Sequence, residues 1–406
     1  MADWSCGVPN ELLYSIFQSL CFLDYGRCHA VCANWNFVAK AYRFRHSRQS
    51  PWLMLPRSKS DKQDGTCSFY DLAHRLEFKI PLPPSTPNLR HCVGSSHGWL
   101  FIVDDLCELF MLNPLTGACF TLPSITTFPD VEAVLEPSSS RILSYRFSYA
   151  PINMDTYDEY EPEEIVEYYY YERATVGWTS DSSYVVMVVH SPLYEGISYA
   201  RSTDTSWHPM ETKTRDFQYI AFHDNLFYGI SHIQSRYANG LLEIFDPSYN
   251  PPTMIKRITL SPSPQRVLSL YPECAFKRYV ANLFGELFQV DRVFCWEYMG
   301  YEYRTCAFEV HKLDNDQQTW LNVKSIGDYS FFVGDNDVIV ISSIDFPSTK
   351  GNCIYYTDDY HSGVYTHREI SRDLGVFSLE DGKITSYYDK GSELTYPSPI
   401  WMVPDL

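Results

Sequence analysis

Apolar and polar positions follow two different rhythms along this chain. Near the start, Leu12, Leu13, Ile16, Phe17 and Leu20 recur at helical spacing and form one apolar stripe. Pro9 stands at the head of that stripe, where its missing N–H does no harm. Asp24 is placed to cap a second helix running to about Cys32, and a third helical stretch follows from about Trp35 to Phe44. Three helices this short bury too little surface to make more than a marginal domain.

From about residue 67 the rhythm becomes that of strands and tight turns. Three segments overlay: His97-Gly98-Trp99-Leu100-Phe101, Asp224-Asn225-Leu226-Phe227 and Phe284-Gly285-Glu286-Leu287-Phe288. Each leads, after a variable loop, to an alternating strand that ends in a turn. Those strands begin at Leu109, Leu242 and Phe308, and a fourth strand-turn-strand unit runs from Val376 to Lys383. Hairpins recurring at roughly 45 residues or its multiples fit a β-propeller. A pair of β-sandwiches is the rival arrangement. The expected fold is mainly β, a propeller of six blades with seven as the alternative, preceded by a small all-α module of three helices. The boundaries read as 1–48 for the helices, 49–66 for a linker and 67–406 for the propeller.

Composition agrees. Aromatic residues make up 16% of the chain, and such side chains suit a pleated, half-buried surface. The formal charge of −18 argues against nucleic acid as a partner, because phosphate contacts need clustered cations. The start of the chain lacks a basic stretch followed by an apolar run, and a run such as Val185–Val189 is far too short to span a bilayer. Twelve cysteines without a C-x-x-C pair point to reduced thiols and a soluble protein of the nucleus or cytoplasm, with no membrane partner.

One segment departs from the pattern. Between Asp155 and Glu172 stand eight carboxylates and six tyrosines. It reads as a solvated insertion loop, with Tyr168–Tyr171 opening the next strand. The sharper alternative is a contact surface for a basic partner.

Several motifs could carry chemistry. Gly94-Ser95-Ser96-His97-Gly98 spells the hydrolase elbow G-x-S-x-G, but that device needs a helix behind the serine, and here Trp99–Val103 reads as a strand. Cys28, His29, Cys32 and Cys21 could suggest a metal site, yet Cys28 and Cys32 share one helical face as two small core residues would. Asp104-Asp105 and Asp358-Asp359 are carboxylate pairs, which at turns are ordinarily solvated. Trp178, Trp207, Trp296, Trp320 and Trp401 read as blade core rather than a binding platform. No catalytic residue, metal or cofactor is assigned.

The N-terminal stretch resembles the F-box motif through Val8-Pro9, Glu11-Leu12-Leu13, Ile16-Phe17, Leu20, Asp24, Arg27, Val31-Cys32 and Trp35. The remainder is similar to the plant F-box-associated propellers of the KIB type. That likeness lies in Gly94–Leu100, Asn113-Pro114-Leu115-Thr116-Gly117 with Leu122-Pro123, and a C-terminal series. The series runs Trp320 to Gly327, Phe332-Val333-Gly334, Asp345-Phe346-Pro347, Gly351 to Tyr356 and Pro399-Ile400-Trp401.

The resemblance implies a non-catalytic receptor subunit of an SCF-type cullin-RING ubiquitin ligase. Val8, Pro9, Leu12, Leu13, Ile16, Phe17, Leu20, Val31 and Trp35 would dock a Skp-type adaptor joined to a cullin scaffold, and the propeller would hold a target protein. Val8 replaces the family's usual leucine, and Ala33 and Asn36 stand at positions that are often basic, which weakens charge contact to an acidic adaptor. The alternative is a propeller enzyme or glycan-binding module with a vestigial F-box.

Overall fold

A computed structural model describes residues 8–20, 28, 31–42, 50–56, 64–84, 86, 89, 91–139, 141–148, 157–167, 170–179, 183–190, 196–212, 216–231, 240–262, 275–296, 303–359, 373–388 and 397–405. Helix α1 (Asn10–Ser19) starts directly after Pro9, whose carbonyl accepts from Leu12 N at 3.0 Å and Leu13 N at 3.1 Å. Helix α2 (Ala33–Tyr42) follows, starting two residues before the expected Trp35 and ending short of Phe44. Asp24, Arg27, Cys21, His29 and most of the expected second helix lie outside the described residues. Leu13, Phe17, Cys28, Val38 and Ala39 form a small core, and Phe17 meets Trp35 edge to face at 5.8 Å.

Six sheets of four or five strands follow. The first holds β1 (Trp52–Met54), β2 (Thr66–Asp71) and β3 (Leu76–Pro81). The second is β4 (His91–Ser96), β5 (Trp99–Val103), β6 (Leu109–Leu112) and β7 (Cys119–Thr121). A separate three-stranded sheet comes next, of β8 (Val131–Leu135), β9 (Ile142–Ser148) and β10 (Tyr157–Tyr160), with the short helix α3 (Pro162–Glu167).

The third blade is β11 (Tyr171–Trp178), β12 (Tyr184–His190), β13 (Gly196–Arg201) and β14 (His208–Pro209). The fourth is β15 (Phe217–His223), β16 (Leu226–Ser231), β17 (Leu241–Asp246) and β18 (Thr253–Thr259). The fifth is β19 (Ala275–Leu283), β20 (Glu286–Trp296), β21 (Tyr303–Asp314) and β22 (Thr319–Val323). The last contains β23 (Tyr329–Val333), β24 (Ile339–Ser342), β25 (Cys353–Tyr356), β26 (Gly375–Ser378) and β27 (Ile384–Thr385).

Strand β28 (Ile400–Met402) returns to pair antiparallel with β1, so the first blade is built from both ends of the ring. Inner strands neighbour one another around an axis: β28 beside β4, β4 beside β11, β11 beside β15, β15 beside β19 and β19 beside β24. Phe332 against Trp401, at 5.0 Å, joins the last blade to the first. The result is a six-bladed propeller. Because β1 belongs to its first sheet, the stretch read as a linker up to residue 66 already contains propeller.

Burial falls from the axis outward. Every residue of β4 is buried, whereas β18 is exposed except at Ile258 and carries Lys256 and Arg257 on its edge. Charge on an outer strand discourages edge-to-edge pairing with other chains. Neighbouring blades share cores: Val185, Met187 and Val189 pack on Phe217, Ile220 and Phe222, and Leu53 packs with Phe332, Tyr355 and Trp401. The inner hairpins turn at His97-Gly98, Asp224-Asn225 and Phe284-Gly285, where φ is positive at both residues of each pair. That is the twist a two-residue hairpin demands.

Candidate docking surfaces and the propeller axis

The apolar stripe of α1 divides in two. Leu13 and Phe17, four residues apart, face α2 and are fully buried. Leu12 lies on the flank and is 56% exposed, with Ile16 half-buried one turn on. Val31 is 54% exposed and Phe37 67% exposed. Val8, Leu20 and Trp35 are half-buried against the small core, and Pro9 is exposed. Of the nine residues named from sequence, Leu13 and Phe17 therefore shape the module from within. Phe37, which was not among them, is its most exposed large apolar side chain among the described residues. Its signal was available: in α2 it falls off the Trp35, Val38, Ala39 face. Ala33 is exposed and Asn36 half-buried.

At the axis, residues 334–338 run between β23 and β24 and are held by four other blades. Asn336 bridges to Ser95 of β4, and Asp337 N donates to Ser95 O at 2.9 Å. Arg173 of β11 donates from Nη1 to Gly334 O at 2.9 Å and from Nη2 to Asn336 O. Its Nε donates to Ile220 O at 2.7 Å, and its guanidinium lies 4.2 Å from the Tyr219 ring centre. Thr175 Oγ1 donates to Asp337 Oδ2 at 2.7 Å, and Phe222 N reaches the same oxygen at 3.3 Å. Lys277 of β19 sits 3.8 Å from Asp335. Most buried polar groups in a core are partnered in this way, although Asn336 Oδ1 and Asp337 Oδ1 have no hydrogen-bond partner among the described residues. Residues 334–338 thus lie across the axis and tie the last blade to four others.

Asp358 and Asp359 are buried, contrary to the expectation of a solvated turn. Asp359 accepts from Tyr279 Oη at 2.9 and 3.0 Å, from Arg292 Nη1 at 2.9 Å and from Lys277 Nζ at 3.1 Å. Arg292 also reaches Asp373 at 3.2 Å and Thr305 Oγ1 at 2.8 Å. Asp358 accepts from Tyr303 Oη at 2.5 Å. These carboxylates act as counter-ions and acceptors inside the fold, because strands β19 to β21 bring cations to them that sequence spacing did not reveal. Asp104 and Asp105 are half-buried, with Asp104 accepting the N–H groups of Leu106 at 2.8 Å and Glu108 at 3.0 Å.

The other motifs resolve simply. Ser96 ends β4 and Trp99 begins β5, so G-x-S-x-G is strand-turn-strand, with Ser96 Oγ 2.9 Å from His97 Nδ1. Cys28 is buried in the helical core. Trp207 and Trp401 are buried and Trp178 and Trp320 half-buried, while the Trp296 side chain lies outside the described residues. Cys295 and Cys306 are bonded to each other across β20 and β21, with Cα atoms 6.0 Å apart, which corrects the expectation that all thiols are reduced. Adjacent strands bring them together despite the absence of a motif.

The acidic, tyrosine-rich segment is likewise more than a loop. Its first part pairs as β10 with β9, and its second is α3. Tyr170 and Tyr171 are buried in the core between the second and third blades, while Tyr157, Asp158, Glu159, Glu161, Glu163 and Glu164 are exposed. Tyr168, Tyr169 and Asp155 lie outside the described residues.

Fold and surfaces together define a β-propeller protein that carries a small helical module at its N-terminal side. The chain belongs to the KIB1-4 beta-propeller family, whose sequence profile matches residues 69–378. Over its whole length it is similar to plant F-box proteins. F-box protein SKIP23 of Arabidopsis thaliana is 22% identical over 99% of this chain and 96% of that protein. F-box only protein 7 of Arabidopsis thaliana is 24% identical over 94% of this chain and 90% of that protein. Among solved structures, an oligogalacturonate lyase in complex with manganese aligns at a TM-score of 0.33 and 9% identity, covering 79% of this chain and 69% of that one. That likeness is too slight to bear on chemistry.

Proposed function

We propose that this chain is the substrate-recognition subunit of an SCF-type cullin-RING ubiquitin ligase, working in the nucleus or cytoplasm. Its helical module docks a Skp-type adaptor, and its propeller holds a target protein. The observation that carries this reading is the uncovered apolar surface of the module: Leu12, Val31 and Phe37 remain more than half exposed while Leu13 and Phe17 are fully buried. A module this small gains stability from a partner that covers such residues. The similarity to F-box proteins over both parts of the chain supports the same pairing of module and propeller.

The chain supplies proximity and no covalent chemistry of its own. One end holds the target and the other the adaptor, so target lysines are concentrated near the charged conjugating enzyme on the scaffold. The direct test is co-purification of the full chain with a Skp-type adaptor and a cullin. Recovery of both is the expected result. Recovery of the adaptor without the cullin would mean a scaffold that acts outside any ligase.

A further inference from the structure

The β2–β3 hairpin and residues 386–388 enclose a cleft of about 410 Å³, lined among others by Tyr70, Arg75, Leu76, Glu77, Tyr387 and Tyr388. It lies at the seam where the last blade meets the first. That volume falls in the range of pockets for small ligands and short peptide segments, and far below that of a folded domain.

The walls are fixed in place. Tyr388 Oη donates to Glu77 Oε1 at 2.9 Å, Tyr70 Oη to Tyr387 O at 3.3 Å and Tyr387 Oη to Tyr356 O at 3.1 Å. Tyr70 and Tyr388 meet edge to face at 4.8 Å, and Tyr387 packs on Trp401 at 5.0 Å. Tyr70 and Tyr388 are buried, only 7% and 5% exposed, and form the floor, so among the tyrosines the half-buried Tyr387 has the ring surface to offer an occupant. Leu76, 59% exposed, adds to that apolar surface.

Arg75 supplies the charge. It is exposed, sits at φ 52° where the hairpin turn closes, and has no ion-pair partner among the described residues. Asp71 braces the turn by accepting from Ala73 N at 2.8 Å. A free guanidinium beside aromatic rings is suited to a carboxylate next to an apolar side chain. Glu77 stands on the same lining and the chain carries a net charge of −18, which weighs more heavily against a polyanion or a phosphate dianion than against a single carboxylate.

We propose that this seam cleft is where the propeller grips its target: it takes an extended peptide segment bearing an aromatic or branched aliphatic side chain against Leu76 and Tyr387 and an adjacent Asp or Glu on Arg75. This rests on the receptor reading above.

The test uses the full-length chain and capped, fluorescein-labelled hexapeptides with a central Leu-Glu, Phe-Asp or Trp-Glu pair, beside twins carrying Gln or Asn and twins carrying phosphoserine. Fluorescence polarisation should show at least one acid peptide binding tenfold or more tighter than its amide and phosphoserine twins. Arg75→Gln should erase that preference without shifting the melting temperature. Equal binding of acid and amide twins, a preference for phosphoserine, an absence of binding by every peptide, or a preference that survives Arg75→Gln would overturn the proposal. Proximity labelling in cells separates the two readings. If Arg75→Gln keeps every labelled protein while cullin still co-purifies, the cleft assignment fails and the receptor reading stands.

Discussion

Arg292 Nη1 lies 2.9 Å from Asp359 Oδ1, and water reaches neither side chain. A buried pair of this kind gives little net stability, because desolvation offsets most of the attraction. Breaking it is another matter, since the charge left behind has lost its compensation. Among the described residues, Arg292→Met leaves Asp359 with Lys277 and Tyr279, and leaves Asp373 with the N–H and hydroxyl of Thr305 but no cation. The expected loss is about 3–5 kcal/mol of unfolding free energy, read from urea titration. A loss under about 1 kcal/mol would mean that the network is not buried in solution.

Asp291 gives the stability a pH dependence of known sign. Burial pushes its carboxyl up from 3.8 to about 6, against the downward pull of Arg278 and of the bond from Gln289. The folded state therefore holds the proton more tightly than the unfolded one. Its contribution is complete below about pH 4 and is lost as pH rises through about 6. The wild-type unfolding free energy, minus that of Asp291→Asn, should fall by about 2 kcal/mol between pH 4 and pH 7. A flat difference would show that this carboxyl ionises normally in the fold.

Gly94 sets the spacing of the second and third blades. A Cβ added there would stand 2.1 Å from the Ala174 carbonyl oxygen on the neighbouring inner strand. Backbone cannot yield as a flexible side chain can, so Gly94→Ala forces β4 and β11 apart. A cost of about 1–3 kcal/mol and a lower melting temperature are expected. An unchanged melting temperature would place these strands further apart than described.

Much of this architecture was legible in the sequence, and the reason is local. His97-Gly98, Asp224-Asn225 and Phe284-Gly285 announce hairpins because the turn itself requires positive φ there. The α1 stripe is equally local, as residues four apart share a helix face. What stayed hidden depends on contacts between distant strands. Nothing in residues 334–338 says that Arg173 and Ser95 hold them at the axis. Asp358 and Asp359 look solvated until strands β19 to β21 supply Lys277, Tyr279, Arg292 and Tyr303. Cys295 and Cys306 carry no motif, and meet because a hairpin folds them together. Strand β1 is only three residues long, and it lies between β2 and β28, the latter from the far end of the chain.

Adaptor affinity of the purified full-length chain, measured by calorimetry, bears most directly on the receptor account. Leu12→Asp combined with Phe37→Asp should weaken binding to a Skp-type adaptor by tenfold or more while the propeller melts as before, and Arg75→Gln should bind the adaptor as wild type does. Undiminished binding by the Leu12→Asp, Phe37→Asp variant would contradict the account.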